Sequence, residues 1–528
     1  MKITDPGAYG SSFLAATKVA SPERARLTAE LDVDVCVIGA GLAGLTVARE
    51  VARRGWSVVV LEAQSVAWNA SGRNTGFVLP GYAARPKALA GRIGIDDAKR
   101  LWALSVAGAE YVRRTVQELS SAGQMPGAAL SEGGWLHVTK TSDEHEVQAE
   151  AELLGKLGAE VEFQSAERVR EQLRSPLYFS GLHYPRGFSI HSLNYALGLA
   201  AAAESCGARI FENSAALEID PAGVRKRVST RDARVRAHHV VLAGNIHLAE
   251  LMPQFGNTLL PAHSYVIVTA PLGDALHEAM RFPGAVSDTD RADNHYCVVE
   301  GDRLMWSGRN TVWRGKPQDY VATLTGQIRR TFPQLKGVRA EYAWTGSIGS
   351  TVHRMPQIGE ITPGLWLLSG FGSRGLNTTA MGGEIVARAI LDGDGTWQTF
   401  APFALVWSGG VYGRVAQQVA YWTNRMSERF VSRRAQRREE RRLRETESET
   451  PAAVAAEPLP SSPPAPAETV PQDAASTTEN PPVIAAEDAP EILLQPAPAV
   501  ERAIARRPRR KKKRETDPAG ETPPGGGA

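Results

Sequence analysis

The stretch DVCVIGAGLAGLTVARE, Asp34 to Glu50, decides the fold. Val35 to Ile38 are apolar without interruption and stop at glycine, the pattern of a strand buried on both faces of a parallel sheet. Gly39, Gly41 and Gly44 complete a G-x-G-x-x-G series, and LTVAREVARRG continues with helical spacing. In such a unit the first glycine permits a tight turn. The second lets backbone approach a pyrophosphate, and the third lets the helix pack on the strand. Ala40, Leu42 and Ala43 bring further backbone amides to the turn, where the helix N-terminus favours phosphate charge. A second strand, SVVVLE, ends at Glu62, followed by Ala63. A carboxylate there accepts hydrogen bonds from a ribose hydroxyl pair, and it repels a 2′-phosphate, which disfavours NADP. Strand, turn, helix, strand and acid stand in register and predict a dinucleotide site.

The next segment separates the candidate dinucleotides. AQSVAWNASGRNTGFVLPGY places Ser71, Gly72, Arg73, Asn74, Thr75 and Gly76 in a polar, glycine-bearing loop directly after the second strand. A long ligand reaching past its ribose needs such a loop, whereas NAD domains usually pass straight to another helix. Two later segments complete the pattern. AHHVVLAGNIHLAELMP carries a strand ending near Ala243 and Gly244, and HRMPQIGEITPGLWLLSGFGSRGLNTTAMGGEIVARAIL ends in a glycine turn opening a helix. By itself, the turn at Gly370, Gly372 and Gly375 reads as an ordinary strand-to-helix connection.

In these four segments, matched in order and spacing over about Tyr9 to Leu391, the chain resembles the FAD-dependent D-amino-acid oxidase-like superfamily. NASGRNTGF and LPAHSYVIVTAPL are most similar to the bacterial gamma-glutamylputrescine oxidase-type and glycine or sarcosine oxidase-type members. The resemblance implies an α/β fold: a Rossmann-like three-layer FAD-binding domain interleaved with an antiparallel-sheet substrate domain. The FAD-binding segments are expected at about 34–85, 185–255 and 350–395, and the substrate domain at about 86–184 and 256–349. FAD would lie along the Gly39 to Gly44 turn, with Ser71 to Gly76 lining the flavin. Gly370, Gly372, Ser373, Arg374, Gly375, Leu376 and Asn377 would aim a helix N-terminus at the flavin pyrimidine, favouring negative charge on the reduced ring. Relatives that attach flavin covalently use a cysteine near this turn. WTGSIGSTVHRMPQIG has none, so non-covalent FAD is expected.

The implied reaction is oxidation of a C–N bond in an amine or amino acid by hydride transfer to flavin N5, giving an imine that hydrolyses. Positioning supplies most of the catalysis. Two departures from the family pattern bear on the substrate and acceptor. Many α-amino-acid oxidases place a carboxylate-clamping arginine about eight residues before the proline of P-x-I-G; counting back from Pro356 reaches Ile348. This favours an amine, γ-glutamylputrescine-like, or a substrate whose carboxylate is remote, although Arg354 or Arg309 remain clamps from elsewhere. The lysine that assists reaction with dioxygen in sarcosine oxidase-like enzymes is replaced near Met305. The acceptor is therefore dioxygen, a quinone or a carrier protein. His263, His295 and His353 are candidate bases, since histidine titrates near neutrality; each also reads as a structural histidine. Trp344 and Tyr265 are candidate pocket walls or core aromatics, and Cys297 reads as a buried, inert thiol.

Composition limits the rest. Hydrophobic residues are 43% and charged residues 22%, an ordinary soluble mixture. The net charge is +3, but RRPRRKKKR, Arg506 to Arg514, holds eight cations, so the remainder is mildly acidic and no general polyanion binder. Three scattered cysteines without CxxC argue against disulfides and metal sites. The N-terminus lacks an apolar h-region and no run reaches membrane-spanning length, so a cytoplasmic location is expected. Residues 401–445 read as an appendage whose Val411, Val415, Val419, Trp422, Met426 and Phe430 share one helical face. That face is expected to pack on the enzyme body or a second subunit, or to lie on a membrane. Residues 446–528 are rich in Pro, Ala, Glu and Ser and read as disordered, with the basic run either a peripheral, non-specific contact for lipid or nucleic acid or a tip that serves solubility alone. The alternatives are a D-amino-acid dehydrogenase, or a flavin module tethered to a membrane or to RNA, since some tRNA-modifying enzymes share the GSRGL turn.

Overall fold

The computed structural model describes residues 9–288 and 294–449, apart from the side chains of Arg309 and of 442–449. They belong to one compact unit, Met1–Pro451. Two large sheets dominate it. The first has the strand order Gln357–Thr362, Leu365–Ser369, Arg234–Leu242, Leu31–Ile38, Val58–Leu61, Arg209–Phe211. All neighbours but the first pair run parallel, with Ile38 level with both Leu242 and Leu61. Val35, Cys36 and Val37 are fully buried, as the uninterrupted apolar run requires.

Both faces of this sheet are covered. Helix Leu42–Arg53 lies between helices Ser192–Ser205 and Gly375–Asp392, and the 27-residue helix Ile95–Ser121 packs on Gly375–Asp392. The buried Arg49 guanidinium is held there by Tyr111 Oη and Glu50, each at 3.0 Å. The opposite face is closed by a core that joins Leu27, Val228, Leu248 and Phe255 to Cys36 and Val240. The result is three layers, with the C-terminal ends of the parallel strands on one rim, where ligands of such sheets bind.

The second sheet has eight strands in the order Ala340–Ser350, Leu260–Thr269, Arg303–Thr311, His295–Val299, Ala285–Ser287, Trp135–Val138, Gly181–Tyr184, Glu162–Gln164. It is mostly antiparallel, as expected, but Ala285–Ser287 and Trp135–Val138 pair in parallel. Those two strands are remote in sequence and no hairpin joins them, so nothing forces opposite directions. Alternation splits the sheet's faces. Tyr265, Ile267 and Trp306 enter one core against helix Gln318–Thr331, while Val266, Val268, Met305 and Trp344 enter the core shared with the first sheet.

The appendage is a 40-residue helix, Gly410–Glu449, which continues past the boundary expected for the disordered tail. It rests on the second sheet by its polar and small residues: Gln418 Oε1 accepts from the Val312 amide at 3.0 Å, and Ala435 is buried. The expectation that its apolar face packs on the body is thereby corrected, because Val411 to Phe430 point away from it. Residues 450–528, with the basic run Arg506 to Arg514, lie outside the described residues.

Candidate active site

A cavity of about 1380 Å³ opens at the rim of the first sheet and reaches the second sheet. Gly39, Gly41, Leu42 and Ala43 line one end. Gly39 has φ +105°, and a Cβ there would stand 2.9 Å from the Ala243 carbonyl oxygen. Gly44 lies behind the wall, where a Cβ would come within 2.1 Å of the Gly39 oxygen, so helix and strand meet at glycine distance. Glu62, also in the lining, folds back on the turn: Oε2 accepts from the Ala40 amide at 2.8 Å and Oε1 from the Gln64 amide at 2.9 Å. Burial raises its pKa, against the lowering effect of those two bonds. Ala63, Ala243 and Gly244 continue this wall.

The polar loop is partly a short helix, Ala70–Arg73. Ser71 Oγ accepts from the Leu42 amide at 3.0 Å, which joins this segment to the glycine turn. Asn74 accepts from the Gly76 amide and donates to Ala70 and Ser71 carbonyls. Ser71, Arg73, Asn74 and Thr75 line the cavity. Gly72 and Gly76 do not; they permit close backbone approach, since a Cβ at Gly76 would sit 1.9 Å from the Ile190 oxygen. Burial lowers the Arg73 pKa, as does the nearby Arg314 cation.

The C-terminal glycine turn brings Gly372, Ser373, Arg374, Gly375 and Leu376 to the same cavity, at the N-terminus of the 18-residue helix Gly375–Asp392. Two expected members stand elsewhere. Gly370 packs against Thr351, and Asn377 is buried with its amide donating to the Gly81 and Ser105 carbonyls. Asn377 is therefore a tie between helices and the loop beneath them, because one helical step turns its side chain from the cavity into the core.

The histidines divide. His295 lines the cavity, and its pKa falls to about 3 through burial, then the charges of Arg374 and His137. His263 is buried against Ser347 Oγ at 2.7 Å, and His353 binds Thr351 Oγ1 and the Ala404 carbonyl; neither lines the cavity. Arg354 does line it, from a backbone held at φ +59°. The Arg309 side chain lies outside the described residues. Ile348 faces the cavity between Gly346 and Ser350, two residues apart on one strand face. Trp344 and Tyr265 are not pocket walls. Trp344 Nε1 donates to the Arg73 carbonyl at 2.9 Å, supporting the polar loop, and Tyr265 stacks on Tyr320 at 3.7 Å in the other core. Met305 pairs in register with Cys297, both buried, and burial pushes the Cys297 thiol up to about 12.

A cluster that sequence reasoning missed closes the second-sheet end. Trp135 Nε1 donates to Ser287 Oγ at 2.8 Å, and His137 Nδ1 meets the same oxygen at 2.7 Å. Trp135 packs edge-on against Phe77 and His295, with the Arg374 guanidinium 5.0 Å from its ring centre. All six residues line the cavity. The available signal was the period-two spacing of Trp135 and His137 in WLHV, which puts both on one strand face. Gln417, Tyr421 and Asn424 of the C-terminal helix also line the cavity.

The site suits an extended dinucleotide: amides and a helix N-terminus for phosphate, a carboxylate at the second strand end, and length beyond both. Residues 34–389 match the family model described as FAD dependent oxidoreductase, DAO. The chain is 30% identical over 392 residues to gamma-glutamylputrescine oxidoreductase of Escherichia coli, covering 73% of this chain and 90% of that protein. It is 29% identical over 369 residues to a probable oxidoreductase, OrdL, of Haemophilus influenzae, covering 68% and 83%. Glycine oxidase from Geobacillus kaustophilus shares the fold, with a TM-score of 0.59 at 18% identity over 71% of this chain and 99% of that one. The chain belongs to the DAO family of FAD-dependent oxidoreductases, enzymes that act on amines and amino acids.

Proposed function

We propose that the chain oxidises a C–N bond of an amine that lacks an α-carboxylate or carries its carboxylate far from the reacting carbon, a γ-glutamylputrescine-like compound. The carrying observation is Ile348, an apolar side chain that faces the cavity and stands eight residues before Pro356, about where many α-amino-acid oxidases carry an arginine in sequence. The likeness to the gamma-glutamylputrescine oxidoreductase supports the same substrate class. Arg354 and Arg374, at other points of the wall, are suited to a distant carboxylate.

In this reading the amides of Gly41 and Ala43 and the Glu62 carboxylate would hold the cofactor, and Ser71, Arg73, Asn74 and Thr75 would flank it. When bound, non-covalently, FAD supplies the two-electron acceptor. The N-terminus of helix Gly375–Asp392 lines the cavity, and its positive dipole would favour negative charge on a cofactor bound there. Phe77 and Trp135 line the cavity with apolar ring surface; the Trp135 ring carries the Arg374 guanidinium 5.0 Å from its centre, which leaves Phe77 as the ring suited to an alkylammonium group. His295, held neutral, adds no charge against a cationic substrate, and its low pKa makes it a poor proton acceptor at neutral pH, so the amine proton leaves to solvent. We read the second electron acceptor as a quinone or carrier rather than dioxygen, because no lysine lines the cavity among the described residues.

The test is anaerobic mixing of the purified holoprotein with γ-glutamylputrescine, putrescine, sarcosine, glycine and D-alanine. Loss of flavin absorbance fastest with γ-glutamylputrescine is expected. Reduction by α-amino acids alone would overturn the substrate reading. Turnover as fast with dioxygen, read as hydrogen peroxide, as with a soluble quinone would overturn the acceptor reading.

A further inference from the structure

Helix Gly410–Glu449 has two unlike faces. Its inward side carries Gln418 bound to the Val312 amide, buried Ala435, and Glu439, which meets Arg170 at 3.4 Å. On the outward side, Val411, Val415, Val419, Trp422, Met426 and Phe430 follow at steps of three and four. They are 70%, 46%, 46%, 55%, 70% and 70% exposed. At 1.5 Å rise per residue this apolar band is roughly 30 Å long. Exposed Tyr412 and Trp407 extend it at the N-terminal end. A contiguous exposed apolar band of this kind marks an interaction surface.

Charge selects the partner. Immediately beyond Phe430 the outward positions carry exposed Arg433 and Arg437, with exposed Arg429, Arg434, Arg438 and Arg441 beside them. Residues 411–441 hold eight arginines and three glutamates, and Glu428 and Glu439 are turned inward. Apolar side chains, interfacial aromatics and a cationic continuation on one face of one helix fit an anionic lipid surface. A second copy fits less well. Parallel pairing about a twofold axis would set the two arginine ends against each other, and antiparallel pairing would set the arginine end of each towards the apolar end of the other.

We propose that this helix docks the enzyme on an anionic membrane surface, lying in the interface plane with Val411 to Phe430 inserted. Gln417, Tyr421 and Asn424 on the inward side of the same helix line the cavity, so docking lays the lipid on the outer side of one active-site wall. The proposal is independent of which amine is oxidised.

The experiment is co-sedimentation of the full-length holoprotein with phosphatidylcholine vesicles and with phosphatidylcholine–phosphatidylglycerol vesicles. The mixed vesicles should bind at least ~10-fold more tightly, and brominated acyl chains should quench Trp422, read as the difference from Trp422→Phe. The double variant Met426→Glu, Phe430→Glu should lose at least ~10-fold of that affinity, with its thermal midpoint and flavin reduction by amine unchanged, since both side chains are exposed. Unchanged vesicle binding by the double variant would assign any affinity to the distal basic run and overturn the proposal. So would a wild-type dimer that binds no vesicles and becomes monomeric in the double variant, the signature of a self-association surface.

Discussion

Replacing Gly44 by alanine separates the packing of the nucleotide-binding unit from its ligand chemistry. The new Cβ would stand 2.1 Å from the Gly39 oxygen and 2.9 Å from Val37 Cγ1. Ordinary carbon contacts lie near ~3.5 Å, so the helix Leu42–Arg53 has to retreat by roughly 1 Å. Overpacking against rigid backbone costs about 1–3 kcal/mol, and this loss should appear in the apoprotein. The Gly41 to Ala43 amides ride on the same helix, and an error of ~1 Å in a positioned site costs up to ~100-fold; FAD affinity should fall by that order. Gly41→Ala is the control. Its methyl meets only Ser71 Oγ, at 3.0 Å, a side-chain end that can give by a few tenths of an ångström while keeping its hydrogen bond from the Leu42 amide. Apoprotein stability should stay within about 0.5 kcal/mol, while FAD affinity falls at least ~10-fold because Gly41 lines the cavity. Urea unfolding of both apoproteins and FAD titration by flavin fluorescence read the two effects. A Gly44→Ala protein that unfolds at the wild-type urea midpoint and binds FAD within a factor of ~2 of wild type would refute the reasoning.

Three further outcomes follow from the site and the cores. Ile348→Arg should gain activity towards α-amino acids, since a bidentate carboxylate contact contributes about 1.5–3 kcal/mol, or ~10–150-fold in kcat/KM; an unchanged ratio of amino-acid to amine turnover would show that position 348 does not meet the substrate. His295, His191 and His263 have folded pKa values near 3, 4 and 4, chiefly through burial. Unfolded histidines protonate near ~6.5, so unfolding takes up protons as pH falls from about 6.5 towards 4. Their stabilisation is complete above that window and is lost within it. The urea midpoint should therefore drop between pH 7 and pH 5, less so in His191→Gln, and a variant with the full wild-type drop would remove His191 from the account. Cys36 and Cys297 are buried with thiols pushed up to about 12, whereas Cys206 is exposed. An aromatic disulfide reagent should titrate one thiol in the native protein and all three in denaturant; fast native reaction of more than one would contradict the packing around Met305 and Cys297.

What the sequence by itself determined is everything that rests on local chemistry and contiguous pattern. Val35 to Ile38, the three glycines, the helix after them and Glu62 define strand, turn and acid within thirty residues, so local sterics and burial suffice to specify them. The polar segment after the second strand and the C-terminal glycine turn were legible for the same reason, since each is a short run with its own backbone demands. Tertiary structure alone decided which side chains share the cavity. Asn377 and Leu376 are neighbours in the turn, yet one helical step sends the first into the core and leaves the second in the wall. Trp135, Ser287, His295 and Arg374 converge from four separate segments, and no spacing along the chain encodes that meeting. The stripe from Val411 to Phe430 was visible as a period, but a period does not say whether the face is covered. Here the polar side of that helix found partners at Val312 and Arg170, and the apolar side was left to whatever surface lies outside the molecule.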